Sequence, residues 1–261
     1  MEQNKIYNED CLDTMNRMED NCIDLTVTSP PYDNLRDYKG YTFDFESIAK
    51  ELFRVTKDGG VVVWVVGDTT KNFCESLSSF RQATYFVKEC GFKLLDTMIY
   101  YKQNYAPAYP TLRRYANQFE YMFIFSKGRP STFNPVMVDK VENRNGWSGF
   151  RQKDGSVKRK IVKTIGDKKQ ASNVWSYPVG FKNLGHPAVF PEQLANDHII
   201  SWSNENDIVY DPFMGSGTTA KMAIKNKRNW IGSEMSAEYC DIIKERLLNE
   251  QLKQEMKGKG V

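Results

Sequence analysis

Apolar runs and helical patterns alternate along the first half of the chain. Residues 23–27, with apolar residues at every second position, predict a strand, and the continuous apolar run at 61–66 is typical of a strand buried in a parallel sheet. Apolar residues at helical spacing predict a helix at 45–55, which Lys57-Asp58-Gly59-Gly60 is expected to end. Further predicted elements are a helix at 80–90 and strands at 94–102 and 120–127.

The second half returns to this alternation after a long interruption. Residues 128–185 are polar, basic and without regular periodicity, so they predict a loop-rich insert. The pattern then predicts helices at 191–202, 218–225 and 236–257, and strands at 208–210 and 230–232. Pro191 suits the start of the first of these helices, and Ser236 suits the N-cap of the last. We therefore expect an α/β catalytic domain made of residues 1–127 and 186–261, with one sheet assembled from both parts.

Composition sets the broad class of protein. The chain has 261 residues, 40% of them hydrophobic and 26% charged, which is ordinary for a globular protein. No apolar run approaches the roughly 20 residues that cross a bilayer, and the N-terminus resembles no secretory signal. The five cysteines form no CxxC pair, and neither histidine lies near one of them. We expect reduced thiols, no metal site, no membrane contact and a cytoplasmic location.

The positive charge is concentrated in the interruption. Residues 127–170 contain 12 basic and 4 acidic residues, a balance of +8, whereas the rest of the chain has a balance of −5. A basic patch of this kind is typical of a surface that binds phosphates. A solvated, flexible loop is the alternative that charge alone leaves open.

A glycine-rich segment after the strand at 208–210 predicts a ligand site. It reads Asp211-Pro212-Phe213-Met214-Gly215-Ser216-Gly217-Thr218-Thr219 and opens a helix. Glycines there let the backbone approach a ligand, and a helix N-terminus favours an anionic group. Glu234 follows the next strand, about 20 residues on, where an acid can accept hydrogen bonds from ribose hydroxyls. The segment lacks the third glycine of a dinucleotide site and the lysine of a triphosphate site, so an adenosine-containing ligand fits it best.

A second candidate site is Ser29-Pro30-Pro31-Tyr32, at the end of the strand at 23–27. Two successive prolines stop a strand and leave carbonyl oxygens free to accept hydrogen bonds. Ser29 adds a hydroxyl, and Tyr32 adds a flat ring on which a base could stack. Alone, this string could be an ordinary turn, but together with the glycine-rich segment it predicts a site that holds an amino group.

These motifs resemble those of the DNA amino-methyltransferases of bacterial restriction–modification and phage systems, which carry (D/N/S)PPY and FxGxG. The order here, with the catalytic motif first, a basic insert next and the cofactor motif last, resembles the permuted β group. The likeness extends over nearly the whole chain, through residues 8–12, 55–60, 119–127 and 186–191. It implies an S-adenosylmethionine-dependent methyltransferase fold, Rossmann-like, with a seven-stranded, mostly parallel sheet and helices on both faces. The insert at 128–185 would be the target recognition region.

The resemblance also implies roles for individual residues. Ser29, Pro30, Pro31 and Tyr32 would be catalytic. S-adenosylmethionine would be bound by Asp10, Cys11, Thr28, Phe190, Asp211, Phe213, Gly215, Ser216, Gly217, Thr218, Thr219 and Glu234, with Asp10 at the adenine and Glu234 at the ribose. Within the insert, Arg144, Arg151, Lys158, Arg159 and Lys160 are the candidate contacts to DNA.

The expected reaction is methyl transfer to the exocyclic N4 of cytosine in double-stranded DNA. Serine at position 29 favours this base, whereas aspartate there is commoner among N6-adenine enzymes, which remain the alternative. An RNA or protein methyltransferase and a catalytically inactive DNA-binding module are further alternatives. The motif order disfavours the former, and the intact motifs disfavour the latter. Methylation at C5 of cytosine is excluded because it uses a cysteine after a proline, and none of the five cysteines follows one.

Partners other than DNA are not readable from the sequence. The presence of a separate cognate restriction endonuclease remains open, and so does the choice between a monomer and a homodimer. The expected setting is the cytoplasm of a bacterial, archaeal or phage-infected cell.

Overall fold

The computed structural model describes residues 1–31, 43–105, 113–140, 146–162, 167–179 and 191–258. Its strands are β1 (Lys5–Tyr7), β2 (Ile23–Thr28), β3 (Thr56–Val66), β4 (Thr70–Lys71), β5 (Cys74–Glu75), β6 (Lys93–Lys102), β7 (Phe119–Ser126), β8 (Met137–Asp139), β9 (Gly146–Arg151), β10 (Val157–Val162), β11 (Lys168–Gln170), β12 (Val174–Tyr177), β13 (Ile208–Asp211) and β14 (Asn229–Ser233). Its helices are α1 (Cys11–Asn16), α2 (Phe45–Val55), α3 (Ser78–Lys88), α4 (Glu192–Trp202), α5 (Thr218–Lys225) and α6 (Ala237–Gly258). None of these helices is long and apolar enough to span a bilayer.

The chain divides into two compact units. The large unit consists of Met1–Asn134 and Asn173–Val261, and the small unit is Pro135–Ser172. The small unit lies inside the segment 128–185 predicted as an insert, and residues 173–179 belong to the large unit.

The large unit is built on one mixed, mostly parallel sheet. Eight strands of the described residues form it in the order β1-β14-β13-β2-β3-β7-β6-β12. Every neighbouring pair from β1 to β3 is parallel, and β7 runs antiparallel to both β3 and β6. The predicted fold class is confirmed, with one strand more than the seven expected. The extra strand, β12, pairs parallel with β6 and comes from the segment that we predicted to be irregular.

Helices cover both faces of this sheet. Side chains on β3 alternate, so that Val61, Val63 and Val65 join one buried cluster and Val62, Trp64 and Val66 join the other. The first cluster contains residues of α4, α5 and α6, and the second contains residues of α1, α2 and α3. A strand buried on both faces has to be apolar at every position, which is why the run at 61–66 contains no polar residue.

Local sequence explains the elements that were predicted correctly. The predicted helix at 45–55 is confirmed as α2, which buries Ile48, Ala49, Leu52 and Val55 on one side, and the Asp44 carboxylate accepts a hydrogen bond from the Ser47 N–H. The Ser236 hydroxyl accepts the Tyr239 N–H at 3.3 Å, which confirms it as the cap of α6.

One expected turn belongs instead to a strand. Lys57-Asp58-Gly59-Gly60 was predicted to end the helix before it, but the chain enters β3 directly at Thr56. The pairing of β3 with β2 is irregular here, since Ile23 pairs with Thr56 whereas Leu25 pairs with Val61. Gly59 has a φ of +80°, and a Cβ at Gly60 would come within 2.9 Å of the Lys57 carbonyl oxygen. The glycines therefore allow a bulge inside the strand rather than a loop before it.

The small unit is formed by short antiparallel pairs. Strand β8 pairs with β11, and β9 pairs with β10. The insert was predicted to be loop-rich because segments such as Lys158-Arg159-Lys160 show no alternation of apolar and polar residues. Where both faces of a strand are polar, the sequence gives no periodic pattern from which to predict it.

Candidate active site

Four neighbouring parallel strands bring the predicted site residues to one edge of the sheet. Asp10 follows β1, Glu234 follows β14, Asp211 ends β13 and Thr28 ends β2. These strands are adjacent in the order β1-β14-β13-β2 and run in the same direction. Their carboxyl ends therefore meet along one edge, where open α/β sheets bind ligands.

A buried hydrogen bond joins the two motifs. The Thr28 hydroxyl donates to Oδ1 of Asp211 at 2.6 Å, across 183 positions of sequence. The same carboxylate oxygen accepts the Phe213 N–H at 3.0 Å. Asp211 is only 5% exposed. Burial raises the pKa of this carboxyl group to about 6, although the hydrogen bonds from Thr28, Thr219 and Phe213 oppose the rise.

The glycine-rich segment is tied to the next strand. The Met214 N–H donates to the Ser233 carbonyl oxygen at 3.0 Å, and the Gly215 N–H donates to Oε2 of Glu234 at 2.9 Å. Gly217 has a φ of +80°, and a Cβ there would lie 3.1 Å from the side chain of Ile243 on α6. A side chain at position 217 would therefore be both strained and crowded, which explains the glycine.

Glu234 is fixed by two backbone donors. Besides the bond from Gly215, its Oε1 accepts the Ser236 N–H at 2.9 Å. Burial raises the pKa of this carboxyl group, whereas the backbone hydrogen bonds lower it. Asn8 donates to the carbonyl oxygens of both Glu234 and Met235 at 2.9 Å. The acid is thus held in a fixed position at the end of β14, next to the glycines.

The proline motif continues directly from β2. Pro30 is buried, whereas Ser29 and Pro31 are half-buried. The Thr219 hydroxyl donates to the Val27 carbonyl oxygen at 3.2 Å, which links the first turn of α5 to the strand just before this motif. Tyr32 lies outside the described residues, as do Phe190 and Arg144.

Asp10 and Cys11 lie at the start of α1. Oδ1 of Asp10 accepts the Leu12 N–H at 2.8 Å, so this side chain caps the helix. Cys11 is buried, and burial raises the pKa of its thiol. The thiol therefore stays protonated and packs as a small apolar group.

The candidate DNA contacts of the small unit lie on the β9–β10 ribbon. Val157 pairs with Arg151 and Lys158 pairs with Phe150, and all four are exposed. Arg159 pairs with Gly149, and Lys160 pairs with Ser148. Successive residues of a strand belong to opposite faces, so Lys158 and Lys160 share one face and Arg159 shares the other with Arg151.

Three polar residues at the edge were missed by sequence reasoning. Arg246 donates to Ser216 and Thr218 from α6, and Glu192 at the start of α4 accepts from Arg246. Asn8 fixes the chain after β14, as described above. Arg246 and Glu192 belong to no motif, and a charged residue within a helix rich in charges gives no indication of its partners. Asn8 lies in the segment 8–12 that carries the resemblance, but nothing in the sequence indicates that it contacts the chain after β14.

The fold defines an α/β protein with a mostly parallel sheet, and a glycine-rich segment, two acids and a proline motif form a candidate ligand site at the carboxyl ends of its strands. The chain belongs to the N6/N4 DNA methylase family, whose model matches residues 23–245. It is a DNA methyltransferase of the group that methylates amino nitrogens.

Individual relatives agree with this assignment. The orphan methyltransferase M.BamHII of Bacillus amyloliquefaciens is 54% identical over 254 residues, covering 91% of this chain and 94% of that protein. The solved PvuII DNA methyltransferase, described as cytosine-N4-specific, matches with a TM-score of 0.70 and 21% identity over 94% of this chain and 86% of its own. The M1.HpyAVI–SAM complex matches with a TM-score of 0.62 and 24% identity over 93% and 98%. These two structures share the fold.

Proposed function

We propose that this chain transfers a methyl group from S-adenosylmethionine to the exocyclic N4 of cytosine in double-stranded DNA. The observation that carries the proposal is the buried bond between the Thr28 hydroxyl and the Asp211 carboxylate at 2.6 Å. It joins the strand that leads into Ser29-Pro30-Pro31 to the strand that leads into the glycine-rich segment. An acceptor for an amino group and a cradle for a cofactor therefore start from adjacent strands.

The chemistry of the edge fits S-adenosylmethionine. Glu234 offers a fixed carboxylate to the ribose hydroxyls, and Asp10 lies at the end of the neighbouring strand β1, at the adenine side. Residues 211–219 hold the methionine part, because glycines expose backbone there and the N-terminus of α5 favours a carboxylate. When bound, this cofactor supplies a sulfonium methyl group that the amino nitrogen accepts as the sulfur–carbon bond breaks, with one amino proton released to solvent.

The proline motif prepares the amino nitrogen. Its lone pair is delocalised into the base, which makes it a poor nucleophile. Ser29 and the Pro30 carbonyl oxygen accept the amino hydrogens and so favour a tetrahedral nitrogen whose lone pair can attack. The base leaves the duplex stack at a cost of a few kcal/mol. Stacking on Tyr32 returns about 1–3 kcal/mol of that cost, and most of the acceleration comes from orientation.

Cytosine is the favoured base because position 29 is serine. The PvuII structure supports the fold only, so the assignment depends on this residue. The test is to express the chain in a host whose DNA contains neither base modification, digest the DNA to nucleosides and measure them by mass spectrometry. DNA from the same host carrying the Tyr32→Ala variant is the control. N4-methylcytosine is expected, whereas N6-methyladenine alone would make this an adenine enzyme.

The small unit supplies the DNA contacts in this proposal. On the β9–β10 ribbon, Arg151 pairs with Val157, and Lys158 pairs with Phe150. Arg159 and Lys160 follow on β10. Arg144 is assigned with them from the sequence. A two-stranded ribbon fits the major groove, and lysine and arginine side chains at its sides bind the backbone phosphates that border the groove. A cognate restriction endonuclease, where one exists, would be a separate protein, and the compartment is the cytoplasm. The chain would act as a monomer or a homodimer.

A further inference from the structure

An arginine on α6 contacts the glycine-rich segment from the protein interior. Nη1 of Arg246 donates to the Ser216 carbonyl oxygen at 2.7 Å, to the Ser216 hydroxyl at 3.1 Å and to the Thr218 hydroxyl at 3.2 Å. The arginine side chain is only 10% exposed. Ser216 and Thr218 are both buried. Their hydroxyls therefore face the arginine, and a guanidinium contacts the middle of the segment that turns into α5.

The other end of the guanidinium is fixed by an acid on a different helix. Nη2 of Arg246 donates to Oε1 of Glu192 at 2.6 Å, and the same oxygen accepts Nζ of Lys221 at 2.7 Å. Burial raises the pKa of Glu192, but the hydrogen bonds from Lys221 and Arg246 outweigh it, so the pKa is lowered overall. Glu192 stays ionised near neutral pH. It is the first residue of α4, so the arginine connects α4, α6 and the glycine-rich segment.

We propose that Arg246 is a positioning residue that sets the affinity for the methionine part of S-adenosylmethionine. This inference rests on the proposed function. The Ser216 carbonyl belongs to the peptide unit whose other end is the N–H of Gly217. Fixing that carbonyl fixes the direction of the peptide, and with it the backbone on both sides. The hydroxyls of Ser216 and Thr218, predicted as direct cofactor contacts, bind this arginine instead, and the backbone that the arginine orients contacts the cofactor.

The choice of residue follows from geometry. A guanidinium presents five N–H groups in a planar fork and can serve a carbonyl, two hydroxyls and a carboxylate at once. A lysine at position 246 keeps the charge but has no fork, so it cannot serve the same set of acceptors. Arg246→Lys therefore separates the contribution of charge from that of orientation.

The experiment compares Arg246→Ala, Arg246→Lys and Ser216→Ala with Lys244→Ala. Lys244 is two positions away on the same helix and forms an exposed ion pair with Asp241. Cofactor affinity is measured by calorimetry with S-adenosylhomocysteine and S-adenosylmethionine. The KM for each substrate, kcat and the melting temperature without cofactor are measured beside it.

Arg246→Ala is expected to weaken cofactor binding and raise the KM for S-adenosylmethionine by about ten- to a hundredfold, as for a lost hydrogen-bonded charge. For this variant the KM for DNA is expected to stay within about twofold of the wild-type value. Lys244→Ala is expected to stay within about twofold of wild type in every measurement. Arg246→Lys is expected to fall between them. Ser216→Ala is expected to change cofactor affinity by less than about threefold, because the carbonyl contact remains.

Two outcomes would overturn the inference. One is a folded Arg246 variant with a lower melting temperature but an unchanged affinity for cofactor, which would make the arginine purely structural. If Arg246→Ala does not fold, Arg246→Lys decides this point. The other is a tenfold loss of affinity in Ser216→Ala, which would make that hydroxyl a direct cofactor contact. Wild-type protein that binds no cofactor would instead refute the proposed function.

Discussion

The two units of this protein are stabilised in different ways. At the carboxyl edge of the large unit, contacts run between strands far apart in sequence and are buried, as between Thr28 and Asp211. In the small unit the strands are short and their described residues are exposed; every residue of β8 and β11 is solvent-accessible. The large unit holds its groups by buried hydrogen bonds, and the small unit offers charge on an exposed ribbon.

This difference matches the two tasks that we assign to the units. Methyl transfer requires a nitrogen and a methyl group aligned within a fraction of an ångström, which only a buried and fully bonded frame provides. Attraction to phosphates acts over several ångströms and tolerates movement of the charged groups. The small unit, with 10 basic and 4 acidic residues and a balance of +6, differs in the same way from the rest of the chain, whose balance is −3.

The largest expected effect comes from breaking the frame at Asp211. Asp211→Ala leaves the Thr28 hydroxyl and the Phe213 N–H buried without their acceptor, and each loss costs roughly 1–3 kcal/mol. We expect methyl transfer to fall by about a hundredfold or more, measured with tritiated cofactor and cognate DNA. Asp241→Ala, an exposed acid on α6, is the matched control and should keep wild-type activity. Full activity in Asp211→Ala would contradict this account.

The same carboxyl group predicts a pH dependence. With a pKa raised to about 6 by burial, Asp211 is protonated below that pH and loses part of its capacity to accept. The rate should therefore rise as the pH passes through about 6. Thr28→Val removes a hydrogen bond that lowers this pKa, so the midpoint should move to higher pH. A rate that is flat between pH 5 and 7 in both proteins would argue against a role for this ionisation.

A smaller effect, confined to DNA binding, is expected in the small unit. Replacing Lys158, Arg159 and Lys160 by glutamine should weaken binding to all DNA sequences. Each lost phosphate contact should reduce the slope of log K against log salt by about 0.9. Fluorescence anisotropy across a salt series measures this slope. Cofactor affinity should not change, since it depends on the large unit.

Glutamine at Lys225, Lys227 and Lys244 is the control for that triple variant. These lysines are exposed on the large unit, so the net charge changes equally but outside the ribbon. If the control flattens the salt dependence as much as the ribbon variant does, the binding follows net charge and the ribbon has no special role.

The smallest effect concerns stability alone. It tests a residue in the interior of the large unit rather than one at the carboxyl edge of the sheet. His198 is fully buried against Trp175, with 4.6 Å between ring centroids, and burial lowers its pKa to about 3. In the unfolded chain this pKa is near 6.5. As the pH falls below that value the unfolded state gains a proton that the folded state excludes. The stabilisation that the buried, neutral His198 provides is therefore complete above about pH 6.5. As the pH falls below that value, the free energy of unfolding should decrease by about 1.4 kcal/mol per pH unit.

Denaturant unfolding at a series of pH values tests this. His198→Leu removes the titrating group, so the difference in unfolding free energy between wild type and variant should shrink or reverse towards acid pH. Asp211 contributes in the opposite direction, because its folded pKa is raised and its contribution is lost as the pH rises through about 6. Because Asp211 is present in both proteins, its contribution cancels in the difference between their unfolding free energies. A pH-independent difference would mean that His198 is protonated in the folded state.

Particular elements show what could be predicted before the structure. Helix α2 was predicted at its observed bounds because its apolar residues recur at helical spacing, so that they form one buried side. Strand β12 was missed because Val174–Tyr177 has no alternation that distinguishes it, and it becomes a strand by pairing with β6, some 75 residues earlier. The bulge at Lys57–Gly60 was placed outside β3 because paired glycines usually mark a turn.

The sequence by itself determined the order of the motifs, the elements with strong apolar periodicity and the concentration of basic residues between the two motifs. These depend on residue type and spacing, which are local. Only the tertiary structure decided that Thr28 donates to Asp211, that Glu234 accepts from Gly215 and that Arg246 contacts Ser216. Each of those contacts needs two segments that meet only when the sheet is assembled, and the strand order that brings them together is a property of the packed chain.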